Sequence, residues 1–477
     1  MINRIKYTFL PLAMLTAGLF TSCGEELEFA TDESTYLSAT QINGMLLDAT
    51  TNKNNSIVEL RSNKQSTNIV FRLSKQPKTG VDVTIGVDES YVATYNSIHN
   101  TDFEMFPAEN VAITNNGACV LAPDDTATPG LKITLTAFDG MEEDKTYIVP
   151  LTATSPTEGV VFSEMSKHMV LLVQDYRHKA NPNKGEDAVK TVIYFEVNTT
   201  NPLNALEFKT ANGKYFFDDV VLFAANINWD AKKQRVYVSN NDNVQFLLDH
   251  NDEYLQPLRK AGMKVIISIL GNHDDAGVAQ LSDMGAKEFA REIAAYCRGY
   301  NLDGVAFDDE YSEKYPDLSN PWLAEHSVEA GSRLMYECKK AMPEKIVSLY
   351  SLGSLYARNL KIIDGVEPGQ YCDYSVADYG RSEQPGIGMT LKQCAGMSIE
   401  LFRDRGDTST NTARSKKNAG YGYYMFFSPT PPKYISDGYD GQDQLTYCEN
   451  VCLGLYDEEL IRPSYYYPKN STVRTAR

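Results

Sequence analysis

The sequence predicts an α/β protein in which a closed (β/α)8 barrel follows an all-β, immunoglobulin-like sandwich. Two patterns carry this prediction. Between about residues 36 and 176, short runs of alternating apolar and polar residues recur between Gly, Pro, Asn and Asp, as in an antiparallel sandwich. From about residue 188, apolar strand runs alternate with amphipathic helical segments, which indicates a parallel sheet buried on both faces.

Length and charge limit the possible functions. The chain has 477 residues, and its net charge of −18 follows from 45 Lys and Arg against 63 Asp and Glu. A field of this sign repels nucleic acid and anionic membrane surfaces, so we expect neither as a partner. The six histidines are scattered, and neither a zinc-type Cys/His spacing nor a phosphate-binding glycine loop is present. We therefore expect no metal site and no cofactor.

The amino terminus is typical of a targeting segment. Residues 1–22 contain a positively charged start and a short apolar core, and small residues precede Cys23 in a pattern that resembles a bacterial lipobox. This predicts a lipoprotein signal peptide, a lipid on Cys23 and an acidic tether over residues 23–35, as in surface-exposed outer-membrane lipoproteins of Gram-negative bacteria. An ordinary secretory signal and a plain solvated linker remain alternatives. Contact with the membrane is expected only through the lipid.

Four further segments follow along the chain. The predicted sandwich covers residues 36–176 and contains the strand runs "NSIVELRS", "TNIVFRLS", "VDVTIGVD", "LKITLTAF", "KTYIVPLTAT" and "HMVLLVQDY". The polar, proline-containing residues 177–187 are interpreted as a linker. Residues 188–465 are assigned to the barrel, and residues 466–477 to a carboxyl-terminal tail.

Polar residues gather at the ends of the predicted barrel strands. Seven or eight strands over about 280 residues favour a closed barrel over an open sheet. In such a barrel the carboxyl ends of the strands converge on the face where active sites are built. The residues at these ends are Asn198, Asn228, His273, Asp308, Glu310 and Tyr379.

The stretch "LDGVAFDDEYSEK" places three adjacent carboxylates at the end of an apolar strand. Alternate residues of a strand share a side, so Ala306, Asp308 and Glu310 would face the barrel axis while Phe307 and Asp309 face away. Two close carboxylates cannot both ionise freely, so one pKa rises. A carboxyl that stays protonated near neutral pH can serve as a general acid.

Residues 303–310, "DGVAFDDE", resemble the DxxDxDxE signature of glycoside hydrolase family 18. The segments "FAANINW", "KVIISILGNHDDAG", "LDGVAFDDEYSE", "MPEKIVSLYSLG", "YCDYSVADYG" and "GYGYYMFF" occur in the order expected of endo-β-N-acetylglucosaminidases of the F and H type. The resemblance spans residues 190 to about 462. It implies hydrolysis between the two core GlcNAc residues of N-linked glycans, with oligomannose glycans or N-glycosylated proteins as substrates. We also expect a monomer.

The resemblance implies roles for three residues. Glu310 matches the general acid, Asp308 matches the residue that orients the 2-acetamido group, and Tyr379 matches the tyrosine that hydrogen-bonds the acetamido oxygen. The implied reaction is retaining and substrate-assisted, without a protein nucleophile. The chain departs from the signature at Ala306, where the family has an aspartate that shares a proton with its neighbour.

Other strand-end residues are candidates for substrate binding. The residues Asn226, Asn228, His273 and Asp275 could bind sugar hydroxyls, with loop capping as the alternative. Phe427, or its neighbour Phe426, could form an apolar floor under the sugar, or simply pack in the core. Two other functions remain open, a catalytically silent glycan-binding protein on the same barrel and a chitinase. With two tryptophans, the chain lacks the aromatic track that favours processive chitin cleavage.

Overall fold

The computed structural model describes residues 41–477 except 144, 164–165, 183, 186, 313–315, 404 and 432–442. The predicted signal peptide, Cys23, the acidic tether and residues 36–40 lie outside the described residues. Within the described part of the chain, no helix combines the length and apolar character that a membrane span requires.

The amino-terminal region consists of two packed β-sheets. Its strands are β1 (Ile42–Asp48), β2 (Asn55–Leu60), β3 (Lys64–Leu73), β4 (Val81–Val87), β5 (Glu104–Met105), β6 (Val111–Ile113), β7 (Ala118–Leu121), β8 (Leu131–Thr136), β9 (Thr146–Thr154), β10 (Val160–Val161) and β11 (His168–Asp175). One sheet has the order β10-β1-β3-β8-β6; the other has the order β2-β11-β9-β4-β7, with β5 beside β9. Apolar residues from both sheets form a shared core, which confirms the predicted all-β region. Helix α1 (Tyr91–His99) follows β4.

The second region is a parallel barrel. Its strands and short ladders are β12 (Lys190–Glu196), β13 (Lys209–Thr210), β14 (Asp219–Asp230), β15 (Arg235–Ser239), β16 (Lys264–Leu270), β17 (Gly304–Asp308), β18 (Ile346–Ser351), β19 (Tyr374–Ala377), β20 (Ala395–Glu400), β21 (Tyr423–Phe427), β22 (Leu460–Ile461), β23 (Tyr465–Tyr466) and β24 (Thr475–Ala476). Neighbours pair in parallel in the order β12-β14-β16-β17-β18-β19, and β12 also pairs with β21, which pairs with β20. A parallel bridge between Ser375 and Cys394 links β19 to β20 and closes the ring of eight strands.

The helices around the barrel are less regular than the sequence pattern suggests. They are α2 (Asp242–Asp249), α3 (Asn251–Tyr254), α4 (Gln256–Lys260), α5 (Asp283–Gly299), α6 (Val328–Ala341), α7 (Pro368–Tyr371), α8 (Thr410–Asn418) and α9 (Gln444–Tyr456). Short 3₁₀ turns replace the helix after β12 and after β19. The helical segment after β14 is divided into α2, α3 and α4, and Pro257 lies in the first turn of α4, where a proline is tolerated.

Alternation along β17 separates the barrel interior from the helix-facing layer. Ala306 belongs to the interior cluster with Tyr194, Tyr350 and Phe427, whereas Phe307 packs in the outer core under the helices. The inward direction predicted for Ala306 is therefore confirmed. The next inward position is the last residue of the strand, Asp308.

The sandwich contacts the amino ends of the barrel strands. Glu59 forms an ion pair with Lys264 at the start of β16, and Lys53 lies 2.5 Å from Asp373, directly before β19. Burial alone would raise the pKa of Glu59, but nearby cations led by Lys264 outweigh it and lower the pKa to about 2. Burial likewise opposes Lys339 and Lys53 at Asp373, and these lysines lower that pKa to about 2.

The predicted linker, residues 177–187, is tied to the barrel. Lys184 Nζ donates to Asp218 Oδ2 at 2.6 Å, and the Lys184 side chain is almost fully buried. The backbone N–H of Ala180 donates to the Lys260 carbonyl at 3.0 Å. Polar composition alone does not distinguish such a docked connection from a solvated one, since its polar groups bond to protein instead of water.

The predicted tail, residues 466–477, is also attached to the barrel. It forms the β23–β24 hairpin, and the side-chain amide of Asn204 donates to the Tyr467 carbonyl at 2.9 Å. Lys469 Nζ donates to Asn243 Oδ1 at 2.8 Å. Sequence reasoning missed this packing because the partners are more than 200 residues away in the chain.

Candidate active site

Strand β17 delivers the acidic cluster to the carboxyl end of the barrel. Its start is anchored by Asp303, whose buried carboxylate accepts hydrogen bonds from Arg259 Nε at 3.0 Å and from the Val265 backbone N–H at 2.9 Å. At Gly304 a Cβ would come 2.2 Å from the Ile346 carbonyl oxygen, so the strands can approach closely only without a side chain there. From this start, five residues lead to Asp308 at the mouth.

Asp308 is a buried carboxyl with an unsatisfied oxygen. The residue is 1% exposed, and its Oδ1 has no hydrogen-bond partner among the described residues. Burial raises its pKa well above the ordinary value, and the carboxylates of Glu310, Asp309 and Asp378 add to the shift. The neutral form is therefore favoured until a polar group of a substrate arrives to bond the free oxygen.

Glu310 lies two residues beyond Asp308, after the end of β17. Its backbone carbonyl accepts a hydrogen bond from the Gly271 N–H at 2.9 Å, and its side chain is half-buried. Burial raises its pKa, Asp378 raises it further, and Arg403 acts in the opposite direction. A half-buried carboxyl with a raised pKa can hold a proton and still reach solvent, as a general acid must.

Asp309 supports the turn between these two carboxyls. It is buried, and it accepts hydrogen bonds from Ser312 Oγ at 3.0 Å and from Ser354 Oγ at 2.7 Å. His326 Nε2 also lies 2.9 Å from Asp309 Oδ2. Of the three adjacent carboxylates, the middle one is thus bonded by protein groups, whereas Asp308 Oδ1 has no hydrogen-bond partner in the described part of the chain.

An aromatic wall lines the barrel beside the carboxyls. The Tyr379 ring lies 6.4 Å from Tyr350 and 5.6 Å from Phe427, between ring centroids. The Tyr350 hydroxyl donates to Asp378 Oδ1 at 3.0 Å. Burial, partly offset by a hydrogen bond with Tyr350, raises the pKa of Tyr379, so its hydroxyl keeps its proton and can donate. The structure therefore brings Tyr379 and Phe427 to the mouth that holds Asp308.

The asparagine candidates already have protein partners. The side-chain amide of Asn226 donates to the Gly271 carbonyl at 2.8 Å, and that of Asn228 donates to Asp274 Oδ2 at 3.2 Å. Both therefore connect β14 to the segment after β16. The backbone carbonyl of Asp275 accepts a hydrogen bond from the Gln280 side chain. Asp274, which sequence reasoning did not select, accepts hydrogen bonds from the backbone N–H groups of Trp229 and Ala276 and so holds this segment in place. Their contact with sugar stays a prediction.

His273 lies at the mouth in contact with the residue after Glu310. It has a positive φ of 53°, and its backbone N–H donates to the Tyr311 carbonyl at 2.7 Å. The His273 and Tyr311 rings meet edge to face with centroids 5.2 Å apart. Its neighbourhood is thus aromatic and acidic.

Sequence reasoning missed a further acid on β20. Glu400 is the last residue of that strand, is 2% exposed, and accepts a hydrogen bond from the Arg403 backbone N–H at 2.6 Å. Burial raises its pKa to about 7. Glu196, which ends β12, also has a pKa raised by burial and, to a lesser degree, by Glu310, against the effect of Arg403. The strand-end pattern would have identified Glu400 had "CAGMSIE" been recognised as a strand.

These groups can transfer protons and bind polar groups around a neutral ligand. The mouth combines Asp308, Glu310, Asp378 and Glu400 with the hydroxyls of an aromatic wall. Raised pKa values keep several of these acids protonated at higher pH than usual, which limits their mutual repulsion. Among the residues that the structure describes, no group of three or more His, Cys, Asp or Glu is placed to hold a metal ion.

Comparison with known proteins places these features in a family. A family model described as an N-terminal domain matches residues 35–160. Endo-β-N-acetylglucosaminidase F1 of Elizabethkingia meningoseptica is 42% identical over 291 residues, which are 59% of this chain and 82% of that protein. An endo-β-N-acetylglucosaminidase of Flavobacterium sp. (strain SK1022) is 33% identical over 241 residues, covering 50% and 74% of the two chains.

Solved structures agree over most of the chain. The crystal structure of Bacteroides thetaiotamicron EndoBT-3987 with a Man5GlcNAc product has a TM-score of 0.84 and 41% identity, covering 90% of this chain and 99% of that one. The same enzyme in complex with a Man9GlcNAc2Asn substrate gives a TM-score of 0.77 and 39% identity, covering 90% and 98%. With its acidic barrel mouth and these relatives, the chain belongs to the endo-β-N-acetylglucosaminidase family of glycoside hydrolases.

Proposed function

We propose that this chain hydrolyses the β-1,4 bond of the N,N'-diacetylchitobiose core of N-linked glycans, with Glu310 and Asp308 as the central groups. The assignment of catalytic roles rests on the environments of Asp308 and Glu310. A buried Asp308 with a free oxygen lies beside a half-buried Glu310 at the barrel mouth, and both pKa values are raised. Relatives at 42% and 33% identity are endo-β-N-acetylglucosaminidases.

Glu310 acts first as a general acid and then as a general base. It gives its proton to the glycosidic oxygen, so that the GlcNAc on the protein side departs as a neutral alcohol. The deprotonated Glu310 carboxylate then takes a proton from a water molecule, and this water attacks the anomeric carbon to complete hydrolysis. The raised pKa of Glu310 supports the first step, because the carboxyl keeps its proton at a pH where an exposed glutamate has lost it.

Asp308 and Tyr379 handle the 2-acetamido group of the substrate. We propose that the acetamido oxygen attacks the anomeric carbon, giving an oxazoline-type intermediate and retention without a protein nucleophile, as in the substrate-assisted scheme of family 18. Asp308 Oδ1, which has no hydrogen-bond partner among the residues that the structure describes, is available to the acetamido N–H. The protonated Tyr379 hydroxyl donates to the acetamido oxygen, and both contacts strengthen as charge develops in a partly dry site.

Ala306 leaves Asp308 without the aspartate that the family 18 signature places below it. The carboxyls that raise the pKa of Asp308 are instead Glu310, Asp309 and Asp378. We propose that these neighbours keep Asp308 able to hold a proton, so that Ala306 is compatible with activity. The assignment to family 18 and to the F and H type rests on the motif and on the similarity to the F1 enzyme.

The substrates are proposed to be oligomannose N-glycans on proteins. The relative of known structure was crystallised with Man5GlcNAc and with Man9GlcNAc2Asn, both of which carry mannose on the GlcNAc side that Glu310 would release. The acidic mouth fits a neutral glycan. That the enzyme is a monomer stays a prediction, and we propose from the first 35 residues that it is a lipoprotein exposed at the surface of a Gram-negative cell.

A soluble form beginning after Cys23 tests the assignment. It is incubated, in parallel with Glu310→Gln, with a native oligomannose glycoprotein, and mass spectrometry records the released glycans and the protein mass. The parent is expected to leave one GlcNAc at each site. Glu310→Gln is expected to be slower by about 10²- to 10⁴-fold, because it removes the transferable proton at nearly constant shape.

Glu253→Gln, the same substitution at an exposed residue of α3, is the matched control and is expected to act like the parent. Equal activity of the parent and Glu310→Gln would show that a residue other than Glu310 transfers the proton. Retention of the glycoprotein by the parent without cleavage would identify a glycan-binding protein.

A further inference from the structure

The residue directly after Glu310 is an exposed tyrosine held in a fixed position. Tyr311 is 53% exposed and has a positive φ of 58°, a backbone conformation that a non-glycine residue adopts only when its surroundings impose it. Two backbone hydrogen bonds impose it here. Gly271 N–H donates to the Glu310 carbonyl at 2.9 Å, and His273 N–H donates to the Tyr311 carbonyl at 2.7 Å.

Gly271 allows this close approach. A Cβ at that position would lie 2.5 Å from the Glu310 carbonyl oxygen and 2.7 Å from the Ser312 nitrogen, so any other residue would push the two segments apart. The segment after β16 is therefore joined to the segment after β17 through the backbone. This attachment fixes the position of Tyr311 relative to the carboxyl beside it.

The Tyr311 ring lies in the electrostatic field of the mouth and keeps a free surface. Its edge-to-face contact with His273, at 5.2 Å between centroids, supports one part of the ring. The pKa of its hydroxyl is raised first by Glu310, then by burial and by Asp308, with Arg403 opposing. The phenol therefore lies beside the catalytic carboxyls, yet more than half of the residue is open to a ligand.

The position of Tyr311 matches one part of the substrate, provided that the proposed function is correct. Glu310 protonates the oxygen that joins the two core sugars, so the sugar that departs must lie outward of that carboxyl. A pyranose ring has an apolar face of C–H groups, and an exposed aromatic ring provides a large, rigid surface for it at little cost in conformational entropy.

We propose that Tyr311, supported by His273, is a specificity-determining platform that stacks on the GlcNAc which remains attached to the protein. The ring, rather than the hydroxyl, makes the contact. The platform accounts for recognition of the leaving side of the scissile bond, whereas Asp308 and Tyr379 recognise the acetamido side.

Comparing two substrates distinguishes contacts with the leaving sugar from contacts with the rest of the substrate. One is a Man9GlcNAc2-Asn glycopeptide, which fills both sides; the other is the oxazoline of the same oligomannose-GlcNAc, which has no leaving sugar and is opened by water. Tyr311→Ala is expected to lower kcat/KM for the glycopeptide by about tenfold, the size of one stacking contact. The rate of oxazoline hydrolysis is expected to stay at the parent level, and Tyr311→Phe is expected to retain most of the glycopeptide activity.

Tyr465→Ala is the matched control, because Tyr465 is 44% exposed and its ring contacts Arg474 instead of the mouth. An unchanged glycopeptide rate in Tyr311→Ala would overturn the platform, while the proposed function would stand. Equal losses on both substrates would overturn it too, since they would indicate damage to the catalytic carboxyls. A parent that cleaves neither substrate would overturn the proposed function, and the platform with it.

Discussion

Asp308, Asp309 and Glu310 are adjacent in the chain but have three different environments. Asp309 is saturated by hydroxyl, histidine and backbone partners, Asp308 is buried with one oxygen free, and Glu310 is half-buried outside the strand. Burial and available partners, rather than residue type, thus decide which carboxyl is structural. The same physics explains why the pKa values of the other two carboxyls rise.

Two neighbours of Glu310 should move its proton affinity in opposite directions. Asp378 raises the pKa of Glu310 and Arg403 lowers it. The alkaline limb of kcat/KM reports loss of the acid's proton. Arg403→Gln is therefore expected to shift that limb to higher pH, and Asp378→Asn to shift it to lower pH. Profiles of kcat/KM from acid to alkaline pH with the glycopeptide measure both shifts.

Arg405→Gln is the control, since Arg405 affects the pKa of Glu400 but is not among the groups that shift the pKa of Glu310. A shift of the same sign in Arg403→Gln and Asp378→Asn would contradict the assignment of the limb to Glu310. An equal shift in Arg405→Gln would indicate a general charge effect instead.

At the residue scale, the sequence predicts the direction of a side chain only where the residue lies within a regular strand. Alternation gives the inward direction of Ala306 and Asp308 and the outward direction of Phe307, because these positions lie within β17. Glu310 lies past the end of the strand, where alternation no longer applies. Its position depends on the hydrogen bond from Gly271, a contact between two segments that no local pattern reveals.

Charged residues at or directly before the starts of several barrel strands form a second layer of charge. Asp303 and Asp373 are paired with cations, and their pKa values are lowered although burial opposes this. Asp219, the first residue of β14, is 2% exposed, and its Oδ2 has no hydrogen-bond partner among the described residues. Burial raises its pKa to about 7 in spite of Lys190. Within this layer, Asp219 is therefore a buried carboxyl whose ionisation costs stability.

Asp219→Asn is expected to stabilise the protein increasingly as the pH rises. The pKa of Asp219 is about 7 in the folded state, against an ordinary value of 3.8. Between these values the folded state binds more protons than the unfolded state, so parent stability falls as pH rises to about 7 and then levels off. The free energy of unfolding that the parent loses over this pH range is at most about 4 kcal/mol. Urea unfolding of parent and variant at about pH 5 and about pH 8 measures it.

The exposed Asp252→Asn provides the comparison at the same two pH values. A stability difference between Asp219→Asn and parent that is constant with pH would contradict the raised pKa. A difference that decreases with pH would show that Asp219 is ionised and held by Lys190 and Lys264.

At the element scale, strand periodicity was more informative than helix periodicity. The barrel strands predicted from apolar runs are present, because a strand buried on both faces needs a continuous apolar sequence. Strand β20 was missed, since "AGMSIE" begins with small residues and includes a serine. The crossover after β19 contains a 3₁₀ turn instead of a helix, and pattern reasoning assumes a helix between parallel strands.

The proposed attachment to a membrane concerns the whole molecule. The lipobox-like segment predicts that Cys23 carries the lipid. Expressed at full length in a Gram-negative host with labelled palmitate, the parent is expected to take up label and to fractionate with the outer membrane. Cys23→Ala is expected to do neither, because it removes the thiol that the lipid needs.

Cys119→Ala is the control, because Cys119 is a free cysteine within the sandwich. Labelling of Cys23→Ala at the parent level would refute the lipid site. Protease added to intact cells reports the exposure of the parent, and complete protection would place the protein inside the outer membrane.

The sequence predicts the two regions of the molecule but not the way in which they join. The ion pairs Glu59–Lys264 and Lys53–Asp373 connect residues more than 200 positions apart, and each residue alone looks like an ordinary surface charge. Breaking such partly buried pairs leaves a charge without its partner, so the pairs favour one arrangement of the two regions over others. Residues 41–477 accordingly form one compact unit.

This junction has a consequence for access by large substrates. The sandwich contacts Lys264 and Asp373 at the amino ends of the barrel strands, while Asp308 lies at the opposite end. We therefore expect a folded glycoprotein to reach the barrel mouth without meeting the part of the sandwich that forms these two ion pairs. With this arrangement, glycans that stand close to a protein surface are expected to be within reach of the carboxyls at the barrel mouth.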